Sequence, residues 1–218
     1  MSHAAVRQPR IAPDYARLRE APFSSDPYPH FVVPNFLSHD QVASVLRDFP
    51  VLDMGGLFLP EKAHGALREI IDALDGPAFR RILGGKLGID LATATTLVTL
   101  RDRCTAKDGR IHADSSFKIA TALLYLNEPW SSSDGCLRIL RSGTNIEDYA
   151  REIPPDGGLL ACFKVQENSW HGHKPFVGLR RYVMLNYCNG SVSRHREAAK
   201  HYLSGKVKHL RRFLAARR

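Results

Sequence analysis

Hydrophobic positions recur at two different spacings along this chain, and the change between them falls near Asp90. Before it, Val42, Val45, Leu46 and Phe49 follow Ser38 at helical spacing. A helix is therefore predicted from a Ser38 N-cap to about Phe49, with Asp40 and Gln41 in its first turn. A second helix is expected over 63–74 and a third over 77–87, where Pro77 suits a first helical position and Gly84-Gly85 should break or fray the end. Ahead of these lies one β-type run, His30-Phe-Val-Val-Pro-Asn-Phe-Leu37. After Asp90 the apolar runs become short and strand-like, at 93–100, 118–126, 136–140, 159–165 and 182–188. Clusters of Gly, Ser, Asp and Pro separate them, which is the signature of a sandwich, jelly roll or barrel.

The ends of the chain differ from this middle. Residues 1–29, rich in Pro, Arg and Ser, are expected as a loose lead-in to a domain spanning 30–190, with its β core at about 90–190. Residues 191–218 hold nine basic side chains against Glu197 alone, so they carry +8 of the net +9 and leave only +1 on residues 1–190. A histone-like or ribosomal-protein-like chain, basic throughout, is thereby excluded. Among those bases, Ala198, Ala199, Tyr202, Leu203, Val207, Leu210, Phe213 and Leu214 suggest a basic C-terminal helix whose inner face packs on the barrel. The alternative is a docking patch for a polyanionic partner such as anionic lipid, glycan or RNA.

With 44% hydrophobic residues, the 218-residue chain can bury a large core without disulfide staples. Its four cysteines (Cys104, Cys136, Cys162, Cys188) lie 26 to 32 residues apart with no CxxC pair. Free thiols in a reducing compartment are the expectation. Residues 1–20 contain four arginines and no apolar run, unlike a signal peptide, and the apolar run at 159–163 is far too short to span a bilayer. The expected location is cytoplasmic and not transmembrane.

Candidate chemistry centres on His112-Ala-Asp114, followed 57 residues after Asp114 by His171. Side chains two apart on a strand face the same way, so His112 and Asp114 can converge on one ion. A His from another strand completes two imidazoles and one carboxylate on one face of the metal, the facial triad of non-haem Fe(II) oxygenases. Nine residues after His171 comes Arg180, at the start of an apolar run. A buried arginine needs a partner, and a dicarboxylate reaching in from iron would supply one. Tyr125, on the strand after the HxD motif, could donate a hydrogen bond to the same carboxylate.

Taken in order, these segments resemble the prolyl-hydroxylase-like branch of the 2-oxoglutarate/Fe(II)-dependent oxygenase superfamily. The matching elements are HAD at 112–114, Leu124-Tyr-Leu-Asn-Glu-Pro-Trp130, Gly135-Cys-Leu-Arg-Ile-Leu140, Gly157-Gly-Leu-Leu-Ala-Cys-Phe163 and the His171, Pro175, Arg180 run. The resemblance covers residues 90–190, with 29–49 similar to the family's N-terminal strand and helix. It implies a double-stranded β-helix, a cupin-like jelly roll with flanking N-terminal helices. It also implies Fe(II) held by His112, Asp114 and His171, and O2 with 2-oxoglutarate as co-substrates. Arg180, with Tyr125 assisting, would anchor the distal carboxylate of 2-oxoglutarate. His173 is the alternative iron ligand and Arg181 the alternative anchor, because some relatives place the basic residue one position later. The implied reaction is hydroxylation of an unactivated C–H with release of succinate and CO2. The expected substrate is a small molecule or a carrier-bound metabolite, in preference to a protein side chain. The alternatives are a facial-triad oxygenase independent of 2-oxoglutarate and a catalytically silent jelly-roll binding module.

Overall fold

The computed structural model describes residues 11–52, 56–58 and 60–189. The predicted basic C-terminal helix and its polyanionic partner concern 191–218, outside the described residues. The predicted helices form where their apolar periodicity placed them. α2 (His39–Arg47) starts at a Ser38 capping box, in which Ser38 Oγ accepts from the Gln41 N–H and Gln41 Oε1 accepts from the Ser38 N–H. It stops two residues short of the expected end, because Pro50 keeps Phe49 out of the helical conformation, and the Asp48 carboxylate at the C-cap accepts the Ala66 N–H at 2.6 Å. That contact supplies the N-terminal cap that α3 (Gly65–Asp75) lacks from its own sequence.

The third helix is α4 (Pro77–Leu87), and Gly84-Gly85 neither breaks nor frays it. The reason is close packing. A Cβ on Gly84 would sit 2.6 Å from the Ile89 carbonyl oxygen, so only glycine lets the chain after the helix fold back this tightly. The turn is made instead at Gly88, in the left-handed conformation.

The lead-in is ordered over its described part, which corrects the loose reading of 1–29. It contains α1 (Tyr15–Glu20) and β1 (Phe23–Ser24), with Ile11, Leu18, Ala21 and Tyr28 buried. Its few apolar residues are spent on packing against the domain rather than on local periodicity, so the composition hides them.

β2 (His30–Val33), β3 (Gly56–Phe58), β4 (Thr95–Cys104), β5 (Lys118–Tyr125), β8 (Leu160–Lys164) and β10 (Gly178–Cys188) join β1 in a seven-stranded sheet of order β1-β2-β8-β5-β10-β4-β3. β7 (Tyr149–Ile153), β6 (Leu137–Leu140) and β9 (His171–Gly172) form the smaller sheet in that order. The two sheets make the expected jelly roll, with the helices on the outer face of the larger sheet.

Two cores follow from the period-two alternation of the strands. On β10, Val183, Leu185 and Tyr187 face the helices and pack with Leu67, Ile70, Leu74, Phe79 and Leu83. The alternate residues Tyr182 and Met184 face the smaller sheet, beside Leu123, Tyr125, Leu137, Ile139, Ile153 and Phe163. All four cysteines are buried free thiols, as their spacing predicted. No helix among the described residues is long and apolar enough to cross a membrane.

Candidate active site

The backbone itself brings the two distant parts of the metal motif together. His112 and His171 form an antiparallel bridge, each N–H donating to the other's carbonyl at 3.0 and 2.9 Å. β9 then continues on its other side into β6, with Ile139 opposite His171. The imidazole rings lie with centroids 4.3 Å apart. One ligand atom from each of His112, Asp114 and His171 falls within 4.8 Å of the other two.

The tautomers are set for metal binding. His112 Nδ1 lies 2.9 Å from the Arg110 carbonyl and His171 Nδ1 lies 2.9 Å from the Ser169 carbonyl. Carbonyls only accept, so both Nδ1 atoms carry the proton and both Nε2 atoms keep a free lone pair. Burial, reinforced by the nearby His112, pushes His171 down to about 4. It is therefore neutral at physiological pH, the form that ligates. Two imidazoles and one carboxylate fit Fe(II).

Asp114 shows two contacts that the sequence reading missed. Lys118 Nζ is 2.7 Å from Oδ1, and Thr121 Oγ1 donates to Oδ2 at 2.9 Å. Burial alone would raise this carboxyl. The Lys118 charge, His171 and these hydrogen bonds outweigh it and hold the group ionised, below the usual carboxylate range. The alternation of β5 offered a signal for Thr121, since Thr121, Leu123 and Tyr125 share its inner face.

At the other end of that face sits Arg180, 3% exposed. Its Nε donates to the Gly135 carbonyl at 2.7 Å, and one terminal nitrogen donates to the Tyr125 hydroxyl at 3.2 Å. Its guanidinium also lies against the Tyr125 and Tyr182 rings, 5.2 and 5.7 Å from their centroids. Among the described residues no carboxylate pairs with it. Arg181 lies with Arg180 in the register shift between Leu179 and Tyr182, and its backbone is clamped by Asn127: the N–H donates to Oδ1 at 2.6 Å and the carbonyl accepts from Nδ2 at 3.1 Å.

His173 does not join the three-ligand cluster. Its backbone N–H donates to the Gly109 carbonyl, and its Nδ1 donates to the Lys174 carbonyl at 2.8 Å. Burial, then the Arg180 charge, depresses it to about 4. A Cβ on Gly109 would lie 2.3 Å from the His173 carbonyl oxygen, and Gly109 has φ +89°, so this approach requires glycine. Arg138 pairs with Glu152 and Glu147 and ties the β6–β7 hairpin together. The tryptophans are packing residues: Trp130 stacks on Phe176, and Trp170 covers Gly143.

The loop that delivers His112 is pinned by Asp108, which accepts from Arg101 at 2.6 Å and from the Thr105 N–H and hydroxyl at 2.7 and 2.9 Å. Burial works to raise the Asp108 carboxyl, but the hydrogen bonds from Thr105 and Arg101 win and hold it low. A depressed folded-state pKa stabilises fully above the unfolded value of about 4 and progressively less as pH falls through the folded value. Asp108→Asn is therefore expected to melt about 3–5 °C below wild type at pH 7, from a loss of about 1–2 kcal/mol. The gap should narrow as pH falls below the unfolded value of about 4 and through the lower folded one. Thermal unfolding at several pH values checks this; a gap unchanged down to about pH 2.5 contradicts it.

Residues 101–189 match the model of the 2OG-Fe(II) oxygenase superfamily. No curated protein sequence matches the chain. Among solved structures, it is similar to a Pseudomonas putida prolyl-4-hydroxylase at 22% identity and TM-score 0.54, covering 81% of this chain and 99% of that one. It is similar to HygX from Streptomyces hygroscopicus, solved with nickel and 2-oxoglutarate bound, at 13% identity and TM-score 0.53, with coverage of 74% and 82%. A Trichoplax adhaerens prolyl hydroxylase, solved with a hypoxia-inducible-factor peptide fragment, matches at 19% identity and TM-score 0.50, with coverage of 80% and 86%. At these identities the structural likeness speaks for the fold, and the family match covers the strands that hold the metal cluster. Residues 101–189, the segment that carries His112, Asp114 and His171, thus match the 2OG-Fe(II) oxygenase superfamily, on a fold similar to that of prolyl hydroxylases.

Proposed function

We propose that this enzyme hydroxylates an unactivated C–H of a small or carrier-bound molecule, with His112, Asp114 and His171 holding Fe(II) and Arg180 anchoring 2-oxoglutarate. The observation that carries the reading is Arg180, a buried guanidinium with no carboxylate of the protein's own among the described residues. An unpaired buried charge is costly, and a bidentate carboxylate from the co-substrate would relieve it. Tyr125, already on Arg180, supplies a hydroxyl to the same group. Arg181 makes none of the contacts with Gly135, Tyr125 and Tyr182 that hold Arg180, and it is not assigned this role. When bound, Fe(II) with 2-oxoglutarate and O2 supplies the oxidising chemistry, and 2-oxoglutarate leaves as succinate and CO2.

The protein's own residues hold the reactants. The Ser169 and Arg110 carbonyls fix the imidazole orientations, Thr121 and Lys118 fix the Asp114 carboxylate, and Tyr125 and Tyr182 shield Arg180 from water. The inner face at the level of the triad carries Thr121, Asn186 and His30, a polar lining suited to a compact polar ligand. Four free thiols suit work in a reducing compartment such as the cytoplasm. The test is anaerobic addition of Fe(II) and then 2-oxoglutarate to the purified protein. A visible metal-to-ligand charge-transfer band that saturates with 2-oxoglutarate is expected, and folded protein without that band refutes the reading. Succinate release with pools of small metabolites and of peptides then separates the two substrate classes, the peptide class being the one bound in the Trichoplax neighbour.

A further inference from the structure

Among the described residues, four cations lie on the inner surface of the jelly roll near the reaction centre, and three of them have a carboxylate assigned. Arg101 pairs with Asp108, Lys118 pairs with Asp114, and Arg180 takes the distal carboxylate of 2-oxoglutarate in the proposed function. The fourth is Arg151.

Its place follows from strand register. On β7, Arg151 lies directly opposite Ile139 of β6, and Ile139 lies directly opposite His171 of β9. Residues directly opposite across a sheet share a face, and this face is the inner one, because Ile139 belongs to the core between the sheets. Neighbouring strands are about 4.8 Å apart, which sets Arg151 about 10 Å from His171 at the same level of the barrel. Across the cleft, the corresponding row of the larger sheet runs His30, Phe163, Thr121, Asn186. Thr121 holds Asp114, and Phe163 packs on the His171 ring at 4.8 Å. Arg151 is close enough to His30 to oppose its protonation, so its charge reaches this same space.

The Arg151 guanidinium makes no hydrogen bond or ion pair among the described residues. It is nonetheless half-buried, and burial lowers its pKa. Its strand neighbour Glu152 points to the opposite face and is committed to Arg138. A half-buried guanidinium without a counter-charge, in the row of a proposed iron ligand, is a binding group suited to an anion.

We infer that the substrate is an anion, a molecule whose carboxylate or phosphate is held by Arg151 while its reacting carbon lies beside the His112–Asp114–His171 centre. This rests on the proposed function and narrows its substrate class. A substrate spanning the two points has about 10 Å to cover, the reach of a short-chain acid or a sugar phosphate. Arg151 would grip its planar or tetrahedral acid group through two parallel N–H donors.

The test uses the full chain saturated anaerobically with Mn(II) and 2-oxoglutarate. Inorganic phosphate and acetate are titrated separately, and the paramagnetic relaxation of their phosphorus and methyl-proton signals is followed. In wild type a saturable relaxation is expected with phosphate, acetate or both; whichever saturates identifies the acid group. Arg151→Gln should weaken that affinity at least tenfold and Arg151→Lys less, and Arg81→Gln, an exposed arginine on α4, should leave it unchanged. Three results would each overturn the inference: no saturable relaxation in wild type, equal affinity in Arg151→Gln, or a lowered melting temperature in Arg151→Gln with affinity intact. Mn(II) binding is read in the same samples from water relaxation. Failure of the metal reading, with no Mn(II) bound, is thus distinct from failure of the anion site, with Mn(II) bound and neither anion held.

Discussion

His171→Ala is expected to abolish metal binding and succinate formation together, while leaving the protein folded. Loss of a group that merely orients a ligand typically costs about 10–100-fold in metal affinity, and loss of the ligand itself costs more. Metal affinity should therefore fall by more than about 100-fold. The backbone bridge between residues 112 and 171 uses only main-chain atoms, so the substitution leaves the strand pairing in place. Its structural cost is confined to the cavity under Phe163 and to the Ser169 carbonyl left without its donor. A circular-dichroism spectrum and a cooperative melt establish folding, and titration with Fe(II) or Mn(II) reads the affinity. His173→Ala is the informative partner. It removes a buried imidazole two residues away and should leave metal affinity within a few-fold of wild type. If His173→Ala loses the metal and His171→Ala keeps it, the ligand assignment is reversed.

Why His171 could be proposed from sequence, and Arg151 could not, comes down to the range of the information. The HxD spacing is local, and the interval from His171 through Pro175 to Arg180 is local too, so both survive in the linear text. The helices were legible for the same reason: Val42 and Val45, or Ile70 and Leu74, repeat at the period of the element that buries them. β7 carries Tyr149, Arg151 and Glu152 because it is an edge strand of the small sheet with one polar face, and its alternation is too short and too charged to stand out. β9 is two residues long and exists only because His112 and β6 flank it. β3 depends equally on a partner far away in sequence, with Gly56 opposite Leu100. Cross-strand register is a tertiary fact, and the positions of Arg151 and His30 in the row of the proposed iron ligands are visible only through it. Lys118 was hidden differently: four residues after an acid, it looks like any solvated lysine until β5 turns its ammonium onto Asp114.

Arg180→Met should separate co-substrate binding from metal binding. Methionine nearly fills the space of the arginine stem and leaves no buried charge, so the core between Tyr125, Tyr182 and Gly135 stays occupied. What is lost is the bidentate contact with the distal carboxylate. Hydrogen bonds to charged groups contribute about 1.5–3 kcal/mol each, so the 2-oxoglutarate concentration at half-saturation of the charge-transfer band should rise by about 100-fold or more. The affinity for Fe(II) measured without 2-oxoglutarate should not move, because Arg180 touches none of the three ligands. Arg180→Lys should recover only part of the loss, since an ammonium cannot present two parallel donors and its shorter reach forfeits either the Gly135 carbonyl or the Tyr125 hydroxyl. Arg181→Met, one position on, is the matching control and should bind 2-oxoglutarate as wild type does. An unchanged midpoint in Arg180→Met, with a shifted one in Arg181→Met, would move the anchor by one residue. Unchanged midpoints in both would remove 2-oxoglutarate from this end of the barrel and leave the buried Arg180 charge without its counter-ion.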